Sequence, residues 1–82
     1  MQRAITIRQS HTEDSSALAR LAALDDRPPL RHDALLGFVD GELKAAVALP
    51  GGEAIADPFE RTADLVELLR LRANQRGERW AA

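Results

Sequence analysis

An α+β domain built on an antiparallel sheet is the fold this sequence predicts, in the order β-α-β-β-β-α. Three observations carry that expectation. Short apolar runs rich in β-branched residues alternate with turn residues, which marks strands. Two longer segments place apolar residues at helical spacing. An Asp40-Gly41 pair separates two of the runs, and both residues tolerate the positive φ of a tight hairpin. At 82 residues the chain has room for one small domain.

Ala4-Ile5-Thr6-Ile7-Arg8 predicts the first strand. Thr12 offers a hydroxyl cap to a helix beginning at Glu13-Asp14, whose acids suit the positive end of the helix dipole. Ala17, Leu18, Leu21 and Ala22 form one apolar stripe, and the Asp25-Asp26-Arg27-Pro28-Pro29 run ends the helix. Leu35 to Val39 and Leu43 to Leu49 predict a hairpin in which Leu43, Ala45, Val47 and Leu49 alternate with Lys44, Ala46 and Ala48. After the Pro50-Gly51-Gly52 turn, Glu53 to Asp57 predicts a fourth strand, closed by Pro58. Thr62 caps a last helix running to about Arg76, with Gly77 as its stop. On that helix Leu65, Val66, Leu68, Leu69 and Ala73 share an arc with Arg72 and Arg76, while Leu71 falls on the opposite, charged side. Residues 1–77 are expected to form the domain and 78–82 a C-terminal tail. Ile5, Ile7, Leu18, Leu21, Val47, Ile55, Leu65 and Leu69 are expected to form one core.

Composition narrows the function. Thirteen acidic and 11 basic residues give a formal net charge of −2, too little positive field for bulk nucleic-acid binding. Absence of cysteine excludes a disulfide framework, a thiolate zinc site and a cysteine nucleophile. No apolar run reaches the ~20 residues that cross a membrane, and Met1–Arg8 has no signal-peptide core, so a cytoplasmic chain is expected.

Ile5-Thr6-Ile7-Arg8, Thr12-Glu13-Asp14, Leu18-Ala19-Arg20-Leu21 and Phe38-Val39-Asp40-Gly41-Glu42-Leu43 together resemble the first strand, first helix and second hairpin of a known family. It is the GNAT superfamily of acyl-CoA-dependent N-acetyltransferases, and the likeness covers its N-terminal half. The family's cofactor signature, Arg/Gln-x-x-Gly-x-Gly/Ala, follows its fourth strand. Pro58, Arg61 and Leu69 match that frame, but Thr62, Asp64 and Val66 stand where glycines or alanine are usual. Such a loop holds a pyrophosphate on backbone N–H groups at a helix N-terminus. A Cβ stands between donor and phosphate, and losing two charge-assisted hydrogen bonds costs roughly 3–6 kcal/mol. The resemblance also implies an acceptor-facing tyrosine and a fifth strand, and this sequence has no tyrosine. No catalytic residue is therefore carried over, and Arg61 alone remains of the cofactor loop.

Other candidates are weak by their company. His11 and His32 fall in loops without convergent ligands. Glu53 is a strand end by a turn; Ser15-Ser16 lack a histidine at a recognisable spacing; Asp25-Asp26 lack a third ligand for a cation. No metal and no cofactor are expected, and acetyl-CoA is not expected to bind usefully. The expected role is non-catalytic: protein interaction or homo-oligomer assembly, as a homodimer or with a protein partner. Two alternatives stay open, an acyl-CoA-dependent N-acetyltransferase (or a subunit completing such a site in a dimer) and a regulatory ligand-binding module. For assembly the expected surface is the fourth-strand edge, Ala54, Ile55 and Ala56, with Leu71 and Trp80 nearby. No lysine or proline lies within that segment to blunt it.

Overall fold

The computed structural model describes residues 4–28, 30, 33–49 and 52–75. Its elements are β1 (Ile5–Gln9), α1 (Ser15–Leu24), β2 (Ala34–Val39), β3 (Glu42–Ala48), β4 (Ala54–Ala56) and α2 (Ala63–Gln75), with a 3-10 turn at Thr12–Asp14 before α1. The strands form one antiparallel sheet in the order β1-β2-β3-β4. This is the expected α+β meander. The sequence positions expected beyond Gln75, including Arg76, Gly77 and the 78–82 tail, lie outside the described residues.

The helices cover opposite faces of the sheet, so the core is two half-cores rather than one. On one face Leu18, Leu21 and Ala22 of α1 pack on Ala34, Leu36, Ala46 and Ile55. On the other, Leu65, Leu69 and Ala73 of α2 pack on Leu35, Ala45 and Val47. Because both faces of β3 are covered, Ala46 and Ala48 are as buried as Val47, and small residues bring the α1 side close. Ile7 sits at the margin of the α2 side and Ile5 is 52% exposed, so the expected core loses Ile5.

Two local features depart from simple alternation. Asp40 (φ 53°) and Gly41 (φ 85°) form the expected two-residue hairpin, and the Asp40 carboxylate accepts the Ala4 N–H at 3.0 Å. Just beyond it, Phe38 faces Leu43 while Gly37 faces Ala45, which leaves Lys44 as an extra residue in a β-bulge. The bulge turns Leu43 to the α1 side, beside Phe38, instead of keeping it in line with Ala45. At Gly37 a Cβ would stand 2.9 Å from Leu65 Cδ1, so glycine lets α2 approach the sheet.

The first helix also starts differently from expectation. His11, not Thr12, holds the N-cap position of the 3-10 turn, in extended conformation, and Asp14 is the N-cap of α1 itself. The Asp14 carboxylate turns back to accept the His11 N–H, held there by the Arg8 guanidinium, whose two arms reach it at 2.9 Å each. At its far end α1 closes with Arg27 N–H bonded to Ala22 O (2.9 Å) and Asp26 N–H to Ala23 O (3.2 Å), with Asp26 left-handed at φ 54°.

Candidate interaction surface

β4 is an outer strand, as the sequence suggested, and its ladder decides which groups face out. Ala48 N–H donates to Glu53 O at 2.7 Å and Asp57 N–H to Lys44 O at 2.9 Å. Residues 53, 55 and 57 therefore turn their main chain toward β3, and Ala54 and Ala56 turn theirs away. Ile55 contributes neither outward main chain nor exposed side chain, since it is 2% exposed against α1. It is the core residue the sequence expected, and its side chain does not reach the edge.

The outer edge is not bare either. Asp25, at the C-cap of α1, accepts the Ala56 N–H through Oδ2 at 3.1 Å. Arg70 of α2 donates from Nε (3.3 Å) and Nη2 (3.1 Å) to the Gly52 carbonyl. One guard comes from each face of the sheet. Between them the N–H and C=O of Ala54 look into a groove of about 440 Å³, walled by Arg27, Pro28 and Leu30 on one side and by Arg70 on the other. Glu53 lines its end; Asp25 also lies 3.4 Å from Arg27 Nε. The expectation of an open edge thus holds at Ala54 and fails at Ala56. Asp25 is a structural acceptor in this arrangement, and among the described residues no three metal-ligating groups converge. Leu71 is 53% exposed but lies about 200° round α2 from buried Leu69, away from the groove. Trp80 and His32 lie outside the described residues.

The cofactor-frame residues sit at the start of α2. Thr62 occupies the N-cap position, its carbonyl accepting the Val66 N–H at 2.8 Å. Val66 is half-buried and packs on the α2-side core, while Asp64 is exposed in the first turn. The hollow beside this turn is lined by Glu60, Arg61 and Asp64, two acids against one base. An anion there meets more negative than positive charge.

A cluster the sequence did not flag surrounds Lys44. The bulge sends its ammonium to Glu42 (3.2 Å), Asp57 (3.5 Å) and Glu60 (3.8 Å). Hydrogen bonding to Glu42 is the main cause that raises the Lys44 pKa above its usual value, so this amine stays charged and is no nucleophile at neutral pH. Asp57 also accepts the Phe59 N–H at 2.8 Å, leaving the Phe59 ring 80% exposed. The signal for this cluster is the bulge, and single-strand alternation does not reveal it. His11 and Ser15-Ser16 are exposed around the start of α1, Glu53 is exposed at the edge, and the geometry brings none of them together as a catalytic set. Among the described residues no helix is long and apolar enough to cross a membrane.

No family model, no curated protein and no solved structure matches this chain.

Proposed function

We propose that this chain is a non-catalytic, GNAT-like half domain that works by association, either as a homo-oligomer or with a protein partner. The observation that supports this reading is the sheet itself: its two outer strands turn main-chain N–H and C=O groups outward, with no strand to receive them among the described residues. Such edges recruit further strands, and a small domain gains core from what it recruits. The start of α2 favours the non-catalytic form of the reading, because the positions where the resembling family uses glycine carry a core-packed side chain (Val66) and a negative charge (Asp64).

The test is mass in solution by light scattering, from micromolar to about 1 mM, the range in which small interfaces associate. A concentration-dependent dimer or larger species supports the reading, and acetyl-CoA should leave that mass unchanged. A monomer throughout overturns homo-oligomer assembly. Acetylation of amines by the purified chain overturns the non-catalytic assignment.

A further inference from the structure

We infer that a second copy of this chain adds to the outer edge of β1, antiparallel, about a two-fold axis at Ile7. The inference rests on the assembly reading above and names its edge and its partner. The ladder to β2 fixes the outward groups. Ser10 N–H donates to Ala34 O and Asp40 N–H to Ala4 O, both at 2.8 Å, so Thr6 and Arg8 face β2 and Ile5, Ile7 and Gln9 face outward. By main contacts α1 packs over β3 and β4, and α2 over β2 and β3. Among the described residues β1 is thus the strand the helices cover least: Ile5 is exposed and Ile7 half-buried.

The other edge is the poorer host. β4 is three residues long against five, it lies between raised walls, and two of its neighbouring groups are held by Asp25 and Arg70. A strand adding there must displace a carboxylate and a guanidinium. At β1, among the described residues, no such side chain is bonded to the outward groups of Ile5 or Ile7.

Self-complementarity selects a second copy as the occupant. Ile7 packs with the α2 side of the sheet, and Ile5 and Gln9 share its face by alternation, while Thr6 and Arg8 share the other. Pairing centred on Ile7 uses all five residues, sets Ile7 beside its own counterpart and Ile5 beside Gln9 of the second copy. On the opposite face Arg8 falls against Thr6. Each Arg8 stays neutralised by its own Asp14 at 2.9 Å. Sliding the register by one step toward Gln9 would set Arg8 directly against Arg8, which like-charge repulsion disfavours. A charged partner strand finds no free charge on Ile5–Gln9 to answer it, whereas an identical strand brings matching isoleucines. A two-fold perpendicular to the sheet closes the assembly as a dimer with a continuous eight-stranded sheet. The strand is only about 17 Å long, so the dimer belongs to the small-interface class.

The experiment is cysteine cross-linking. The sequence contains no cysteine, so in Ile7→Cys any disulfide joins two copies. Paired residues of this kind sit with Cα atoms about 5.5 Å apart, within disulfide reach. Under mild oxidation Ile7→Cys should form covalent dimer at least about tenfold faster than Ala54→Cys, which reports on the β4 edge. Adding Ile5→Lys, at an exposed position, should slow it to the Ala54→Cys rate, and Ile5→Lys alone should shift light-scattering mass toward monomer. Melting curves establish that each variant is folded. Faster linking of Ala54→Cys than of Ile7→Cys, or a dimer indifferent to Ile5→Lys, overturns the β1 inference and leaves assembly standing. A wild-type monomer at 1 mM overturns both.

Discussion

Arg8 shows how one side chain can organise a corner of a small domain. It lies on β1, forks onto Asp14 before α1, bonds the Gln9 carbonyl at 3.2 Å, and stacks over the Phe38 ring at 4.9 Å. It thereby ties the first strand to the first helix and to β2. Its hydrogen bonds are the main cause holding the Asp14 carboxyl at about 2, below its ordinary 3.8, with the His11 N–H adding to the effect. A carboxyl depressed in the folded state stabilises fully above its ordinary value and loses that contribution as pH falls through the folded one. Asp14→Asn should therefore melt at a lower temperature than wild type at pH 7, and the two should converge as pH falls from about 4 toward 2. A gap that stays constant over that window would mean the carboxylate charge is not what holds the turn. For Lys44 the sign is opposite: its contribution is present below its ordinary pKa and lost only as pH rises through the raised value.

At the scale of elements, packing and edges make separate demands. α1 is held by Leu18, Leu21 and Ala22, with Leu21 2% exposed. Leu21→Ala should cost about 2–5 kcal/mol, against a total of roughly 4–12 kcal/mol for a chain of this length. Ile5→Ala, on the open strand, should cost about 0.5 kcal/mol or less. Equal losses in chemical denaturation would mean the α1 half-core is not built as described. The β4 edge is governed by side chains from outside the strand. Asp25 protects the Ala56 amide, while the Ala54 amide faces the groove. Ala54 should exchange its amide hydrogen faster than Ala56, and Asp25→Ala should speed exchange at Ala56 by about 5- to 10-fold, the equivalent of one hydrogen bond near 1 kcal/mol. Unchanged exchange at Ala56 would show that the carboxylate does not guard the edge.

At the scale of the whole molecule, the sequence reveals element order more readily than the ways elements meet. Asp40-Gly41 specifies its own turn, and the strand and helix patterns need only neighbours within a few residues. The guards do not work that way: Asp25 and Ala56 are 31 residues apart, and nothing local in either segment announces the pairing. The bulge at Lys44 is equally silent, because Leu43-Lys44-Ala45 satisfies plain alternation until the Gly37/Phe38 register is known. Gly37 reads as a weak strand residue until Leu65 is seen against it. Division of the core into two faces is hidden by the alanines, which score as small rather than as buried. Tertiary contact, not local propensity, decides each of these.

The start of α2 joins all three scales in one prediction. Phosphate capture at a helix N-terminus needs free N–H groups, close backbone approach and a favourable field. Here the Val66 N–H closes the first helical bond to Thr62, the Val66 side chain is committed to the α2-side core, and Asp64 and Glu60 flank Arg61. Close approach fails at Val66 and the field fails at Asp64 and Glu60, so mending one leaves the other in place. Isothermal calorimetry with acetyl-CoA should therefore show no binding tighter than about 100 μM, since two lost charge-assisted hydrogen bonds remove on the order of 10²–10⁴ in affinity. Asp64→Gly should not rescue it, because Val66 still occupies the turn. A micromolar constant in the wild type that weakens on Arg61→Ala would show that the loop binds phosphate despite its side chains, and would move the chain toward the acyl-CoA-dependent alternative.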